Sequence, residues 1–107
     1  SIVLQRGISQ QDRYFLTEIL YVEASNHSSI VYTYDKTQSY ALTFAQMEKL
    51  LPVEDFKKCH RGYIVNLHAV KGLRRNSITL VDGREILVST TYFQSVKDAL
   101  IALRGGQ

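Results

Sequence analysis

The chain has 107 residues, of which 45% are hydrophobic, and its formal net charge is +3. This length and composition predict one globular domain over residues 1–107 and exclude a disordered tail. Its single cysteine excludes an internal disulfide and a cysteine-based zinc site, and no apolar run approaches the ~20 residues that span a bilayer. We therefore expect a cytoplasmic domain without membrane contact, and because Ser1 replaces an initiator Met, we expect a module of a longer protein.

Short runs rich in Ile, Val, Thr and Tyr dominate the chain and predict β-strands. The clearest run is 30–34, and the six-residue, mostly polar segment 24–29 before it predicts a loop. Asp82-Gly83 predicts a tight type I′ hairpin turn, since both residues tolerate a positive φ. The predicted strands lie near 2–6, 13–16, 19–24, 29–35, 38–43, 62–67, 69–74, 76–81 and 84–89.

Two helices have recognisable start signals. Thr43 and Gln46 have the spacing of a capping box, and Pro52 ends that helix near residue 51. Thr91 and Gln94 repeat the box, and Gly105-Gly106 ends the second helix. The predicted buried faces are Phe44, Met47 and Leu51 in the first helix, and Phe93, Val96, Leu100 and Leu103 in the second. These elements predict a β-dominated domain with a C-terminal helix packed on a sheet.

Charge is distributed unevenly along the chain. Residues 1–55 contain four Lys or Arg against seven Asp or Glu, whereas residues 56–81 contain six Lys or Arg and no acid. An acid-free basic segment of this kind is a candidate contact surface for nucleic acid. The alternative is that the six cations are scattered over different solvated faces.

No residue pattern indicates an enzyme, a metal site or a cofactor. Cys59 and His60 are neighbours, and neighbours in an extended strand point to opposite faces, which argues against a thiol–imidazole pair. His27, His60 and His68 lie in separate segments without metal-ligand spacing, and no phosphate-binding glycine motif is present. We expect neither catalysis nor a bound cofactor.

Three polar segments have the residue types of DNA contacts. The first is the loop with Asn26, His27, Ser28 and Ser29, the second is the basic cluster Lys57, Lys58, His60 and Arg61, and the third is the helix start with Thr90, Thr91 and Tyr92. Asn, His and Arg can read base edges, and a helix N-terminus suits a phosphate. The competing interpretations are an ordinary polar turn for the first segment and helix capping for the third. We interpret Arg74-Arg75-Asn76 as a solvated hairpin tip rather than as a fourth contact.

Two other functions remain open on the residues alone. An edge strand such as 30–34 can add a partner strand in a peptide- or protein-interaction module. Tyr32 and Tyr34 share one strand face and can stack bases of a single strand, although core packing is the more ordinary role for such residues.

Several segments resemble the LytTR family of DNA-binding domains. Residues 56–66, FKKCHRGYIVN, are similar to its signature F-x-R-x-H-R-S-x-I-V-N. Residues 16–24 resemble its first conserved strand, which also ends in Glu, and residues 80–89 resemble its terminal hairpin, which also ends in Val-Ser. Residues 43–51 resemble its short mid-domain helix. The resemblance covers about residues 12–104.

This resemblance implies a mainly β fold of small antiparallel sheets packed in an elongated, sandwich-like arrangement. It implies a bacterial transcription regulator, often the output half of a two-component response regulator, whose loops enter successive major grooves of double-stranded promoter DNA. Tandem half-sites are also implied, whereas the sequence leaves open whether the domain forms a homodimer on DNA. By position it adds Asn66 to the DNA contacts. Lys58 replaces the usual Arg, Gly62 the common Ser, and Thr90 a frequent Arg or Lys.

Overall fold

The computed structural model describes residues 1–105, which form ten strands and two α-helices. The helices are α1 (Phe44–Leu50) and α2 (Thr90–Gly105). The strands are β1 (Ile2–Arg6), β2 (Gln10–Tyr14), β3 (Ile19–Ser25), β4 (Ser28–Thr33), β5 (Thr37–Tyr40), β6 (Phe56–His60), β7 (Tyr63–Asn66), β8 (Val70–Leu73), β9 (Ser77–Leu80) and β10 (Glu85–Leu87). The domain measures 41 × 29 × 24 Å. The predicted class, small antiparallel sheets with a mid-domain and a C-terminal helix, is confirmed.

A five-stranded antiparallel sheet in the order β5-β4-β3-β7-β6 forms the central layer. Its side chains alternate between two faces, because successive residues of a strand point in opposite directions. On one face, Val22 and Ile64 pack with the β1–β2 hairpin and α1. On the other face, Val65 packs with the three-stranded sheet β10-β9-β8 and with α2. The central sheet therefore has a hydrophobic core on each face, and different elements cover the two faces.

Two strands differ from the sequence prediction. The structure adds β6 at Phe56–His60, where the sequence shows mainly a basic cluster. It also places β2 at Gln10–Tyr14 rather than near 13–16. Both strands are polar, with few β-branched residues, so their local propensity for strand is weak. These two segments form strands because neighbouring strands pair with them. Strand β6 forms the edge of the sheet beside β7, and β2 closes a hairpin with β1.

The turns also differ from those predicted. The loop expected over residues 24–29 is a two-residue hairpin turn at Asn26-His27, because Ser25 and Ser28 already form a strand pair. At Asp82-Gly83 only Gly83 has a positive φ, of 94°. A type I′ turn needs a positive φ at both central residues, so that turn type is wrong.

The start of α1 is as predicted, whereas that of α2 is not. Thr43 Oγ1 accepts the Gln46 N–H at 3.1 Å, and Gln46 Oε1 accepts the Thr43 N–H at 2.9 Å. Helix α2 begins at Thr90, two residues before the start that an N-cap at Thr91 predicts, so Thr91 lies inside its first turn, and Gln94 Nε2 donates to Asp98 instead of closing a capping box. The predicted end at Gly106 lies outside the described residues. Within residues 1–105, neither helix has the length and apolarity needed to cross a membrane.

Candidate nucleic-acid interface

The three predicted contact segments meet at one end of the central sheet. The β6–β7 turn lies beside the β3–β4 turn, since the Ala24 N–H donates to the Gly62 carbonyl at 2.9 Å. The start of α2 lies beside β6, since the Ser89 N–H donates to the Cys59 carbonyl at 3.0 Å. We call residues 26–27, 58, 60–62 and 90–92 together the loop edge. Segments far apart in sequence thus form one continuous surface.

The β3–β4 turn presents two exposed side chains, those of Asn26 and His27. Asn26 adopts φ 54°, a left-handed conformation that Asn tolerates better than most residues. Ser28 is half-buried, and its hydroxyl donates to the Ser25 carbonyl at 2.7 Å. Ser29 is fully buried, and its hydroxyl donates to the Leu42 carbonyl at 2.9 Å. Of the four predicted contacts in this segment, only the two at the turn face solvent freely.

The two lysines of β6 lie on opposite faces of the sheet. The Lys58 ammonium lies 5.5 Å from the Phe44 ring centroid and 5.6 Å from that of Tyr92, so it joins α1 to the first turn of α2. Lys57 instead lines a groove against the middle of α2, together with Glu54 and Asp98. The sequence suggested one basic cluster that includes both lysines. In the structure only Lys58 of these two lysines belongs to the loop edge.

The β6–β7 turn fixes one imidazole and exposes one guanidinium. The Gly62 N–H donates to His60 Nδ1 at 3.0 Å, so a neutral His60 carries its proton on Nε2. That nitrogen is then a hydrogen-bond donor. Arg61 is exposed and forms no ion pair with any residue of the described range 1–105. A Cβ at Gly62 would meet only His60 Nδ1, at 3.6 Å, so a side chain fits there.

Cys59 is sealed in the core behind the loop edge. Its side chain is fully buried, and Sγ lies 3.8 Å from the Tyr63 carbonyl and 3.6 Å from the Leu87 carbonyl. Burial raises the pKa of the thiol to about 12. Such a thiol is neutral and has no path to oxidants or substrates. Within residues 1–105, no three His, Cys, Asp or Glu side chains are placed to hold a metal ion.

The third segment is the first turn of a helix rather than a loop. The Ser89 carbonyl accepts the N–H groups of Tyr92 and Phe93 at 3.1 and 3.0 Å, which closes this turn. Thr90 and Thr91 are exposed, whereas Tyr92 is half-buried under Lys58. The positive end of the helix dipole and the exposed residues Thr90 and Thr91 therefore lie at the same end of the sheet as Arg61.

Asn66 lies outside the loop edge. Its side chain is 2% exposed, and Nδ2 donates to the carbonyls of Leu16 and Ile19 at 3.1 and 2.8 Å. Oδ1 accepts the His68 N–H at 3.0 Å. All its hydrogen bonds go to backbone, so the structure places Asn66 as a tie between β3 and β7, and we remove it from the contact set.

The sequence interpretation set aside one segment that lies beside this surface. The tip Arg74-Arg75-Asn76 is exposed, as predicted. Yet the Asn76 carbonyl accepts the Val88 N–H at 3.1 Å, and the Arg75 guanidinium lies 6.0 Å from the ring centroid of Phe93 in α2. The sequence signal that could have assigned this tip to the surface is its position within the acid-free segment 56–81.

Comparison with known proteins identifies the domain. The family model of the LytTr DNA-binding domain matches residues 13–101. The chain belongs to this family. The LytTR family consists of DNA-binding domains rather than enzymes, so this chain is a DNA-binding domain.

The domain is similar to one curated protein and to one solved structure. The sensory transduction protein LytT of Bacillus subtilis is 30% identical over 88 residues, which are 78% of this chain and 36% of that protein. The chain therefore spans little more than a third of that relative. A LytTr DNA-binding domain of a putative methyl-accepting/DNA response regulator from Bacillus cereus superposes with a TM-score of 0.76. That match is 22% identical, covers 92% of this chain and 94% of the other, and shows the shared fold.

Proposed function

We propose that this domain recognises a specific duplex sequence by placing the loop edge in the major groove, as the output domain of a bacterial response regulator. The observation that carries the proposal is the convergence of Asn26, His60, Arg61 and the start of α2 on one end of a rigid sheet. Turn tips of this size enter a groove about 12 Å wide, in which all four base pairs are distinguishable.

The loop edge divides into base readers and phosphate contacts. Asn26, His27, His60 and Arg61 are the base readers: an amide suits adenine, and a guanidinium suits guanine. The Nε2–H of His60 donates to an acceptor such as guanine O6. Lys58 is a phosphate contact, because its ammonium is already held between two rings. The hydroxyls of Thr90 and Thr91 at the helix N-terminus bind a second phosphate.

The size of the domain bears on how it pairs on DNA. Its longest dimension of 41 Å corresponds to about 12 base pairs at ~3.4 Å per pair. One copy bound with this axis along the duplex covers about one helical turn. We propose that a second copy binds the next repeat of a tandem promoter site, on the same face of the duplex.

The aromatic sheet face does not favour single-strand binding. Tyr32 stacks on Tyr21 with ring centroids 4.3 Å apart, and its hydroxyl donates to Glu23 at 2.5 Å. A ring already stacked on a neighbour has one face fewer for a base, and the carboxylate repels phosphate. Stronger binding to single strands than to the matching duplex would reverse this choice.

The test is a titration of selected and random duplexes with Arg61→Ala. We expect a loss of about 1–3 kcal/mol on the selected duplex and relaxed preference at one base pair. Arg13→Ala is the matched control, because Arg13 is exposed on β2, away from the loop edge. Equal losses for the two variants would contradict base reading by Arg61. No binding to any duplex at low salt, with the fold intact, would contradict the function itself.

A further inference from the structure

We propose that Arg74 and Arg75 form a phosphate clamp that extends the DNA contact beyond α2, an inference that rests on the proposed duplex binding. The two residues stand at the β8–β9 turn, which is closed by the Arg74 N–H donating to the Ser77 carbonyl at 2.8 Å. The clamp adds affinity for any duplex and no sequence preference.

Position is the first argument for the clamp. The β8–β9 turn is hydrogen-bonded to the segment that leads into α2, through Asn76 and Val88. Helix α2 in turn starts beside β6, through Ser89 and Cys59. The tip is therefore joined to the loop edge by backbone hydrogen bonds, and a duplex placed on that edge runs next to it.

Available charge is the second argument. Two other arginines of this domain are paired, Arg6 with Asp12 and Arg84 with Asp82, each at 2.8 Å. Arg74 and Arg75 form no ion pair with any residue of the described range 1–105, and no Asp or Glu occurs between residues 56 and 81. Two adjacent cations without a counter-ion repel each other, and a phosphate backbone removes that cost.

Preorganisation is the third argument. The Arg75 guanidinium lies over Phe93 at 6.0 Å, the outer limit of a cation–π contact. This contact leaves the N–H groups of the guanidinium free to donate, since Arg75 forms no ion pair within residues 1–105. A phosphate accepts two such donors side by side. Phe93 thus limits the freedom that Arg75 would lose on binding.

The experiment compares Arg74→Gln/Arg75→Gln with Arg13→Gln/Lys36→Gln, measuring affinity against salt concentration on a selected and a random duplex. The control removes the same charge from exposed residues, with Lys36 at the opposite end of β4 from the loop edge. Each phosphate contact adds about 0.9 to the slope of log affinity against log salt. Phosphate contacts from Lys58 and the two clamp residues predict a slope of about −2.7 for the unaltered domain.

The clamp variant should then have a slope of about −0.9, with affinity reduced by the same factor on both duplexes, and the control should keep the original slope. A clamp variant with the control's slope overturns the clamp and leaves the proposed function standing. A loss confined to the selected duplex overturns it too, because that result assigns base reading to the tip. Absence of duplex binding by the unaltered domain overturns both proposals. Thermal unfolding of each variant excludes misfolding as the cause.

Discussion

Replacing Asn66 with Ala separates a structural role from a DNA contact at a position where the family resemblance implied the contact. The side chain makes three hydrogen bonds to backbone groups, at 3.1, 2.8 and 3.0 Å, and it is 2% exposed. Each such bond contributes about 1 kcal/mol net, so Asn66→Ala should lower the free energy of unfolding by about 3 kcal/mol. The DNA affinity of the folded fraction should not change.

Urea unfolding followed by circular dichroism measures the first quantity, and titration under strongly native conditions measures the second. Asn76→Ala is the matched control, because Asn76 is exposed and its side chain makes no hydrogen bond within residues 1–105. We expect its stability to change by less than about 0.5 kcal/mol. If Asn66→Ala were as stable as the control and bound DNA more weakly, the assignment of Asn66 to the fold would be refuted.

Three further predictions concern single side chains. Cys59 should not react with a thiol reagent at pH 8 until the domain unfolds in urea, because its pKa is raised to about 12; rapid reaction of the native domain would contradict its burial. Arg6 and Tyr40 lower the pKa of Asp12, so the stability that Asp12 contributes is present above its unfolded pKa and lost as the pH falls through the folded one. Asp12→Asn should therefore unfold at lower urea than the unaltered domain at pH 7, and the gap should close in strong acid; a gap independent of pH would exclude the carboxylate as its cause. Gly62→Ser should keep its unfolding midpoint and bind duplex more tightly through an added phosphate hydroxyl, whereas a lower midpoint would show that the turn cannot hold a Cβ.

Local signals predicted some elements well. Helix α1 starts at its capping box because Thr43 and Gln46 lie in the same turn, and the side-chain oxygen of each accepts the backbone N–H of the other. The buried face of α2 was also predicted, with Val96 and Leu100 in the core, because helical spacing alone places these residues together. Such features need no information about the rest of the chain.

Features that depend on distant partners were not predictable in the same way. Strand β6 exists because β7 pairs with it, and its two lysines separate only once that pairing sets the faces. The contact between Arg75 and Phe93 brings together two segments that no local pattern connects. Asn66 was placed among DNA contacts by its position in a signature, and only the backbone atoms around it show what it binds.

The side chains of β6 alternate between the two faces of the sheet. This alternation explains why the family signature identifies the fold more surely than it identifies the DNA sequence that the domain reads. Phe56 and Cys59 are buried in the two cores on either side of the sheet, so their identity is constrained by packing. Arg61 stands beyond the strand, exposed at the turn, where packing constrains nothing. A change at Arg61, or at Asn26 in the neighbouring turn, can alter base readout without disturbing either core. On the proposed interface, domains that share these buried signature residues can therefore read different promoters through the exposed side chains at their turn tips.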